Sequence, residues 1–142
     1  MERYRILPHT ADGKFRAYGR TLEEAFGNAA LATASLMWDW EKVEPRRSQP
    51  VRVAGRDREQ LLVKFLGEVV FLFETQKFLL AAVYGLRIRQ GEGGWTLEAD
   101  FRGDTLSGRY ELHGGVKAVT YNEMKIELRE GGGVVLQVVV DM

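Results

Sequence analysis

Two acidic positions near opposite ends of the 142-residue chain carry the chemistry that the sequence suggests first. Asp12 lies in the polar segment 9–13, and Asp141 follows an apolar run and precedes the last residue, Met142. Aspartate side chains and a main-chain carboxylate are hard oxygen ligands of the kind that calcium and magnesium prefer. If these two segments meet in the fold, we expect them to bind a divalent cation.

The apolar run before Asp141 gives the reason to expect such a meeting. Residues 133–140 are apolar and mostly β-branched, which is typical of a strand buried on both faces. A chain end attached to a buried strand does not fray easily, so the carboxyl group of Met142 is expected beside the Asp141 side chain. Adjacent carboxylates repel each other, and a bound cation relieves that repulsion.

The segment 9–13 also has a simpler interpretation as a turn between two short strands. Asp followed by Gly is an ordinary turn signal, because Asp bonds to downstream backbone and Gly accepts a positive φ. His9 would then be a turn residue that donates a hydrogen bond. Spacing alone does not distinguish a turn from a ligand loop, so both interpretations stay open.

Lys117 lies in a segment, residues 116–123, that follows neither strand alternation nor a helical period. Such irregularity often marks functional sites, where local rules are broken for a reason. Lys117 is interpreted either as a solvated lysine or as a cation placed against the carboxylates.

Two helices are predicted from their N-terminal signals. Thr21 and Glu24 form a capping box, and the apolar period that follows ends near residues 38–40. Asp57 and Gln60 begin a second helix, whose broad apolar stripe indicates the principal core helix. At least one of the two tryptophans at the end of the first helix is expected to close the core.

The remaining pattern indicates strands and an α+β fold. Alternating residues predict strands at 51–54, 83–89, 95–101 and 124–129, and glycine-rich hairpin connections at 91–94 and 130–133. Two prolines mark residues 44–50 as a loop. We therefore predict a single domain, 1–142, with antiparallel or mixed sheets and two main helices packed on one face.

Composition narrows the classes of function. The chain has no cysteine, which excludes disulfides, thiolate zinc sites and a cysteine nucleophile. Lys plus Arg equals Asp plus Glu at 20 each, so the basic surface typical of autonomous nucleic-acid binding is missing. We expect no membrane contact and a cytoplasmic protein, because there is no leader pattern and no apolar run of about 20 residues.

A metal-dependent phosphoesterase or other hydrolase is the main alternative from the residues. Asp12 and Asp141 would orient a metal-activated water, and His9 would act as general acid or base. The chain has only two histidines, His9 and His113, so a multi-histidine metal site cannot be built. No nucleophile-elbow pattern surrounds any serine.

Five blocks in order along the chain resemble the archease family. They are residues 9–12, 21–26, 61–66, 117–121 and the terminal Asp141, and together they span nearly the whole sequence. The resemblance implies a small α+β protein that activates the RtcB-type tRNA-splicing RNA ligase, an enzyme that uses GTP and manganese. It implies that the protein promotes ligase guanylylation and multiple turnover without being an enzyme itself, and that it meets tRNA only indirectly.

The resemblance also implies particular site residues. The metal ligands of the family fall on Asp12, Asp141 and Met142, with calcium as the usual ion and Mg²⁺ or Mn²⁺ as alternatives. The lysine of the family falls on Lys117, with His9 as a further candidate near the metal.

The sequence departs from the family pattern after the tyrosine of its fourth block. Asn122 stands where the family commonly has His, so no proton transfer is assigned to it. A general chaperone-like helper of RNA-modifying enzymes is the third interpretation. A homo-oligomer is left open.

Overall fold

The structure is a computed structural model that describes residues 2–8 and 12–142. The described residues form seven strands and two helices: β1 Tyr4–Leu7, β2 Gly13–Gly19, α1 Leu22–Ser35, β3 Arg47–Gly55, α2 Arg58–Gln76, β4 Phe78–Gly91, β5 Gly94–Thr105, β6 Ala118–Leu128 and β7 Val134–Asp141. A short 3-10 turn, Trp40–Lys42, follows α1. Neither of these helices is both long enough and apolar enough to cross a membrane.

The strands form two antiparallel sheets, in the orders β1-β2-β7-β6 and β3-β5-β4. The predicted α+β class is confirmed, and every strand pairing among the described residues is antiparallel rather than mixed. Each helix contacts strands of both sheets. The helices therefore connect the two sheets through their packing contacts.

Both predicted capping patterns are present at the helix starts. The Thr21 hydroxyl accepts a hydrogen bond from the Glu24 backbone N–H at 3.1 Å, and the Glu24 carboxylate accepts one from the Arg20 N–H at 2.9 Å. At the second helix, the Asp57 carboxylate accepts from the Gln60 N–H at 2.7 Å. These bonds satisfy backbone donors that have no partner within a helix.

The first helix ends at Ser35, a few residues before the predicted boundary at 38–40. Trp38 then turns into the core, where it is 1% exposed and its indole N–H donates to the Leu80 carbonyl at 2.9 Å. The prediction that a tryptophan closes the core is confirmed. Trp40 is half-buried and donates to the Tyr4 hydroxyl at 2.8 Å.

A chain of aromatic rings connects the layers of the core. Phe26 of α1 stacks on Phe65 of α2 with ring centroids 6.1 Å apart, and Phe65 meets Phe101 of β5 at 5.5 Å. Alanines dominate the buried face of α1, which lets this helix lie close to its neighbours. Residues 134–140 of β7 are all buried, as predicted for a strand covered on both faces.

Three strands begin several residues earlier than the sequence predicted: β3, β4 and β6, the last of which starts at Ala118 instead of residue 124. The interpretation of 44–50 as a loop is wrong from Arg47 onward, because β3 starts there and includes Pro50, opposite Asp100. Since β3 is an edge strand, the missing N–H of proline is tolerated. The strand predicted from residue 83 starts at Phe78, where four consecutive buried residues hide the alternation.

The connection that leads from β5 to the start of β6 is anchored by Tyr110. Its hydroxyl donates to the Asp104 carboxylate at 2.6 Å and accepts from the Glu44 N–H at 3.4 Å. Arg109 pairs with the Glu44 carboxylate at 3.0 Å. The Tyr110 hydrogen bond holds the pKa of Asp104 below its ordinary value, and the same bond raises the pKa of Tyr110.

Gly103 allows the closest backbone approach in the smaller sheet, and an alanine there is expected to destabilise the fold. A Cβ atom at this position would lie 1.9 Å from the Leu79 carbonyl oxygen, which is main chain and cannot move aside cheaply. We expect Gly103→Ala to lower the free energy of unfolding in urea by about 2 kcal/mol or more. Gly67 in α2 is the control, since its space is open and Gly67→Ala should add about 0.5 to 1 kcal/mol. Equal stability of Gly103→Ala and the unsubstituted chain would contradict the close contact.

Removing the Tyr110 hydroxyl is expected to raise the pKa of Asp104 toward its ordinary value. The pKa of Asp104 is lower in the folded chain than in the unfolded chain, so its ionised form stabilises the fold at pH values above the unfolded pKa. This stabilisation is lost as the pH falls through the folded pKa. Tyr110→Phe should therefore lose less stability on acidification. Carboxyl carbon NMR titration measures the change, with Asp100 as an internal control held by Ser48 and Arg102. If the pKa of Asp104 is the same in Tyr110→Phe, the Tyr110 hydroxyl is not the cause of the lowered pKa.

Candidate functional site

The three strands β2, β7 and β6 bring the sequence-predicted residues to one end of the larger sheet. Gly13 at the start of β2 is the Cα partner of Val140, and Ala118 at the start of β6 is the partner of Asp141. Asp12 directly precedes Gly13 and Asp141 directly follows Val140, so the two aspartates flank the last paired positions of these strands. Residues from both ends of the chain therefore meet here.

The spacing between neighbouring strands sets the scale of this site. Directly opposite residues in antiparallel strands have Cα atoms about 4.5 to 5.5 Å apart, which is close enough for two carboxylates to share one cation. On the other side of Asp141, the Lys117 backbone N–H donates to the Asp141 carbonyl at 2.7 Å. Asp141 is thus the middle position, with Asp12 on one side and Lys117 on the other.

The side chain of Met142 packs across two glycines. Its sulfur atom lies 2.9 Å from where a Cβ of Gly13 would be, and its terminal methyl lies 3.4 Å from the corresponding position at Gly114. Leu36 also reaches within 3.0 Å of the Gly13 position. Gly13 belongs to β2 and lacks a positive φ, so the proposed turn reason for this glycine is wrong. Its absent side chain instead provides the space in which Met142 lies.

The predicted site residues differ in exposure. Asp12 is half-buried, while Asp141, Met142 and Lys117 are exposed. His9 lies outside the described residues. Among residues 2–8 and 12–142, no group of three or more Asp, Glu or His side chains gathers as a preformed metal site. Their roles as metal ligands or as a neighbouring cation stay predictions.

The segment 116–123, which the sequence indicated as irregular, overlaps in part with a large bulge in β6, while its residues 118–120 pair regularly with β7. Thr120 pairs with Val139 and Lys125 pairs with Gln137, so residues 121–124 lie opposite Val138 alone. An ordinary β-bulge adds one residue, whereas this one, called here the β6 bulge, adds three. The bulge interrupts both strand alternation and ladder pairing, which is why no simple period described it.

Two residues that the sequence analysis missed contact this bulge. Lys14 on β2 reaches across β7 and pairs with the Glu123 carboxylate at 3.0 Å. Gln137 on β7 is buried, and its side-chain amide donates to the Glu123 carbonyl at 2.8 Å. Gln137 is the one polar residue in the apolar run 134–140, and that isolation was the signal that could have identified it.

His113 has a structural environment at the end of α1. One of its ring nitrogens, Nε2, forms a hydrogen bond with the Ser35 carbonyl at 2.8 Å, and its backbone N–H donates to the Met37 carbonyl at 2.9 Å. These contacts bind the β5–β6 connection to the helix end. A cleft of about 660 Å³ lies beside them, lined by residues that include Trp40, Tyr110 and His113.

Comparison with known proteins identifies the family. A model of the Archease protein family (MTH1598/TM1083) matches residues 4–142. The protein archease of Methanosarcina mazei is 40% identical over 144 residues, covering 99% of this chain and 97% of that protein. The protein archease of Pyrobaculum neutrophilum is 41% identical over 143 residues, covering 98% of this chain and 95% of that protein.

The fold has a solved counterpart as well. The solution structure of Methanobacterium thermoautotrophicum protein 1598 superimposes with a TM-score of 0.85 and 31% sequence identity, and all of each chain is covered. The resemblance seen in the five sequence blocks is confirmed. Since the family model and the full-length relatives cover nearly the whole sequence, this chain belongs to the archease family.

Proposed function

We propose that this chain is a non-catalytic protein activator of an RtcB-type tRNA-splicing RNA ligase. It promotes guanylylation of the ligase and allows multiple turnover. Membership of the archease family over residues 4–142 is the observation that carries the proposal. The neutral overall charge supports contact with tRNA only through the ligase, and the cytoplasm is the proposed compartment.

The proposed metal site consists of Asp12, Asp141 and the main-chain carboxyl group of Met142. These groups fit a hard divalent cation because all are oxygen donors, and the pairing of Gly13 with Val140 supports their proximity, since Asp12 and Asp141 are the adjacent residues. Ca²⁺ is the proposed ion, with Mg²⁺ or Mn²⁺ as alternatives. Its remaining ligands would be water or groups of the ligase.

Lys117 and His9 have proposed roles beside this ion. The backbone bond from Lys117 to Asp141 supports a place for the lysine next to the carboxylates, where its charge would face an anionic group of the ligase reaction. GTP phosphates have the required chemistry. His9 is the first residue of the segment 9–13, and we assign it to the same proposed surface.

The hydrolase alternative receives less support from the residues. A metal-dependent hydrolase needs an acid or base beside the activated water. His113 contacts the Ser35 carbonyl, which favours a structural role for it and leaves His9 for that task. The activator proposal needs no such group, since the ligase supplies the chemistry.

The central prediction is that the chain increases the number of turnovers of a cognate ligase, and that Asp12→Asn or Asp141→Asn removes most of this effect. Each substitution keeps side-chain size and removes one anionic ligand, which should weaken cation binding about tenfold or more. Ligated RNA per ligase molecule is counted with GTP and limiting manganese.

Glu130→Gln is the matched control for this assay. It removes one negative charge in the turn at the opposite end of the β6–β7 hairpin and should stimulate like the unsubstituted chain. Lack of stimulation by the unsubstituted chain would refute the activator proposal. Full stimulation by both aspartate variants would refute the metal site alone.

A second prediction concerns the carboxyl group of Met142. Extending the chain by two glycines replaces the carboxylate with a peptide carbonyl and should weaken calcium binding about tenfold in calorimetric titration. Met142→Ala keeps the carboxylate and removes only the side chain that packs against Gly13 and Gly114, so its calcium affinity should stay within about threefold. Equal affinity of the extended and unsubstituted chains would exclude the carboxylate as a ligand.

A further inference from the structure

The β6 bulge is held in place by a buried amide that uses both of its polar groups. Gln137 is 3% exposed. Its nitrogen donates to the Glu123 carbonyl at 2.8 Å, and its oxygen accepts from the Arg16 guanidinium at 3.0 Å. A single side chain on β7 therefore connects β2 with β6 through hydrogen bonds, and its contact on β6 is within the bulge.

The backbone of the bulge is strained at the residue that this amide holds. Glu123 has a φ of 53°, in the left-handed region that residues other than glycine adopt rarely. Such a conformation persists only where its surroundings fix it. Here the Glu123 carbonyl is held by Gln137, and its carboxylate is held by Lys14, whose side chain is 18% exposed.

The bulge presents exposed polar and aromatic groups near the candidate site. Tyr121 is a large aromatic residue that is 52% exposed, and Asn122 beside it is exposed as well. The preceding residue, Thr120, lies opposite Val139, two positions from Asp141. Its hydroxyl donates to the Val139 carbonyl at 2.7 Å, so the residue immediately before the bulge is anchored to β7.

We propose that the β6 bulge is a contact surface for the ligase, and that Gln137 is the positioning residue that keeps this surface in its binding conformation. This inference rests on the proposed function. Exposed tyrosines beside polar groups are favoured at protein interfaces, because they combine a large apolar area with a hydroxyl. A surface fixed before binding loses less conformational entropy when the partner docks.

Gln137→Glu is the test variant because it breaks one contact and keeps the other. A carboxylate still accepts from Arg16, but it cannot donate to the Glu123 carbonyl and places oxygen against oxygen there. The matched control is Asn28→Asp. Asn28 is 7% exposed and donates its side-chain amide to the Tyr18 carbonyl at 2.7 Å, near the end of β2 that lies away from Asp12.

The measurement is the concentration of this chain that gives half-maximal stimulation of the ligase, together with the stimulation at saturation. Gln137→Glu should raise the half-saturating concentration about tenfold and leave maximal stimulation unchanged, because binding is weakened while the metal site is intact. Asn28→Asp also removes a buried hydrogen bond, but it should change the half-saturating concentration by less than about twofold. Thermal unfolding of both variants shows whether their loss of stability is comparable.

Tyr121→Ala provides a second route if Gln137→Glu folds poorly. Tyr121 is exposed, so its removal should leave the fold intact and raise the half-saturating concentration about tenfold. In the double variant the two effects should overlap, giving about tenfold rather than about a hundredfold, because the amide acts through the surface that carries Tyr121.

The outcomes separate this inference from the proposed function. Stimulation by the unsubstituted chain combined with an unchanged half-saturating concentration in Gln137→Glu or in Tyr121→Ala overturns the inference alone. Strictly additive effects in the double variant overturn the positioning role of Gln137. No stimulation by the unsubstituted chain overturns the proposed function, and the contact surface with it.

Discussion

The register of β7 between β2 and β6 is the constraint on which the rest of the structure depends. Because residues 134–140 are buried on both faces, a slipped strand would still be apolar on both sides, and alternation does not fix the register. The short β6–β7 connection sets the register of the hairpin, and Gln137 adds to its stability, since a buried amide without partners costs about 1 to 3 kcal/mol. The contacts of Gln137 with Arg16 and the Glu123 carbonyl exist only in the observed register, which also pairs Gly13 with Val140, next to Asp12 and Asp141.

The features that could be predicted from the sequence depend on contacts between residues close in the chain. The caps at Thr21 and Asp57 act over three residues, and the glycine-rich turns join strands that pair with each other directly. The burial of β7 on both faces was also predictable, because a continuous apolar and β-branched run is typical of a strand covered on both sides. From these parts the α+β class followed.

The features that could not be predicted join residues far apart in the chain. Pro50 indicated a loop because nothing in the local sequence shows that β3 lies at a sheet edge. The packing of Met142 against Gly13 and Gly114 depends on three segments meeting, so the Asp12–Gly13 pair gave only an ordinary turn signal and Gly114 gave none. The meeting of the two acidic segments was expected from strand burial, whereas the bonds of Gln137 to Arg16 and Glu123 required the register itself.

A shared ion would couple the candidate site to its partner through thermodynamic linkage. Two aspartates and one carboxyl group leave a calcium ion, which takes six to eight oxygens, with places for other ligands. If the ligase supplies some of them, ion and ligase each bind more tightly in the presence of the other, and by the same factor. The pairing of β7 with β2 and β6 matters in this arrangement, because Asp141 at the end of this strand would need little ordering when the partner arrives. Asp141 would then serve as a fixed point where the ion, the neighbouring Lys117 and the β6 bulge face the ligase together.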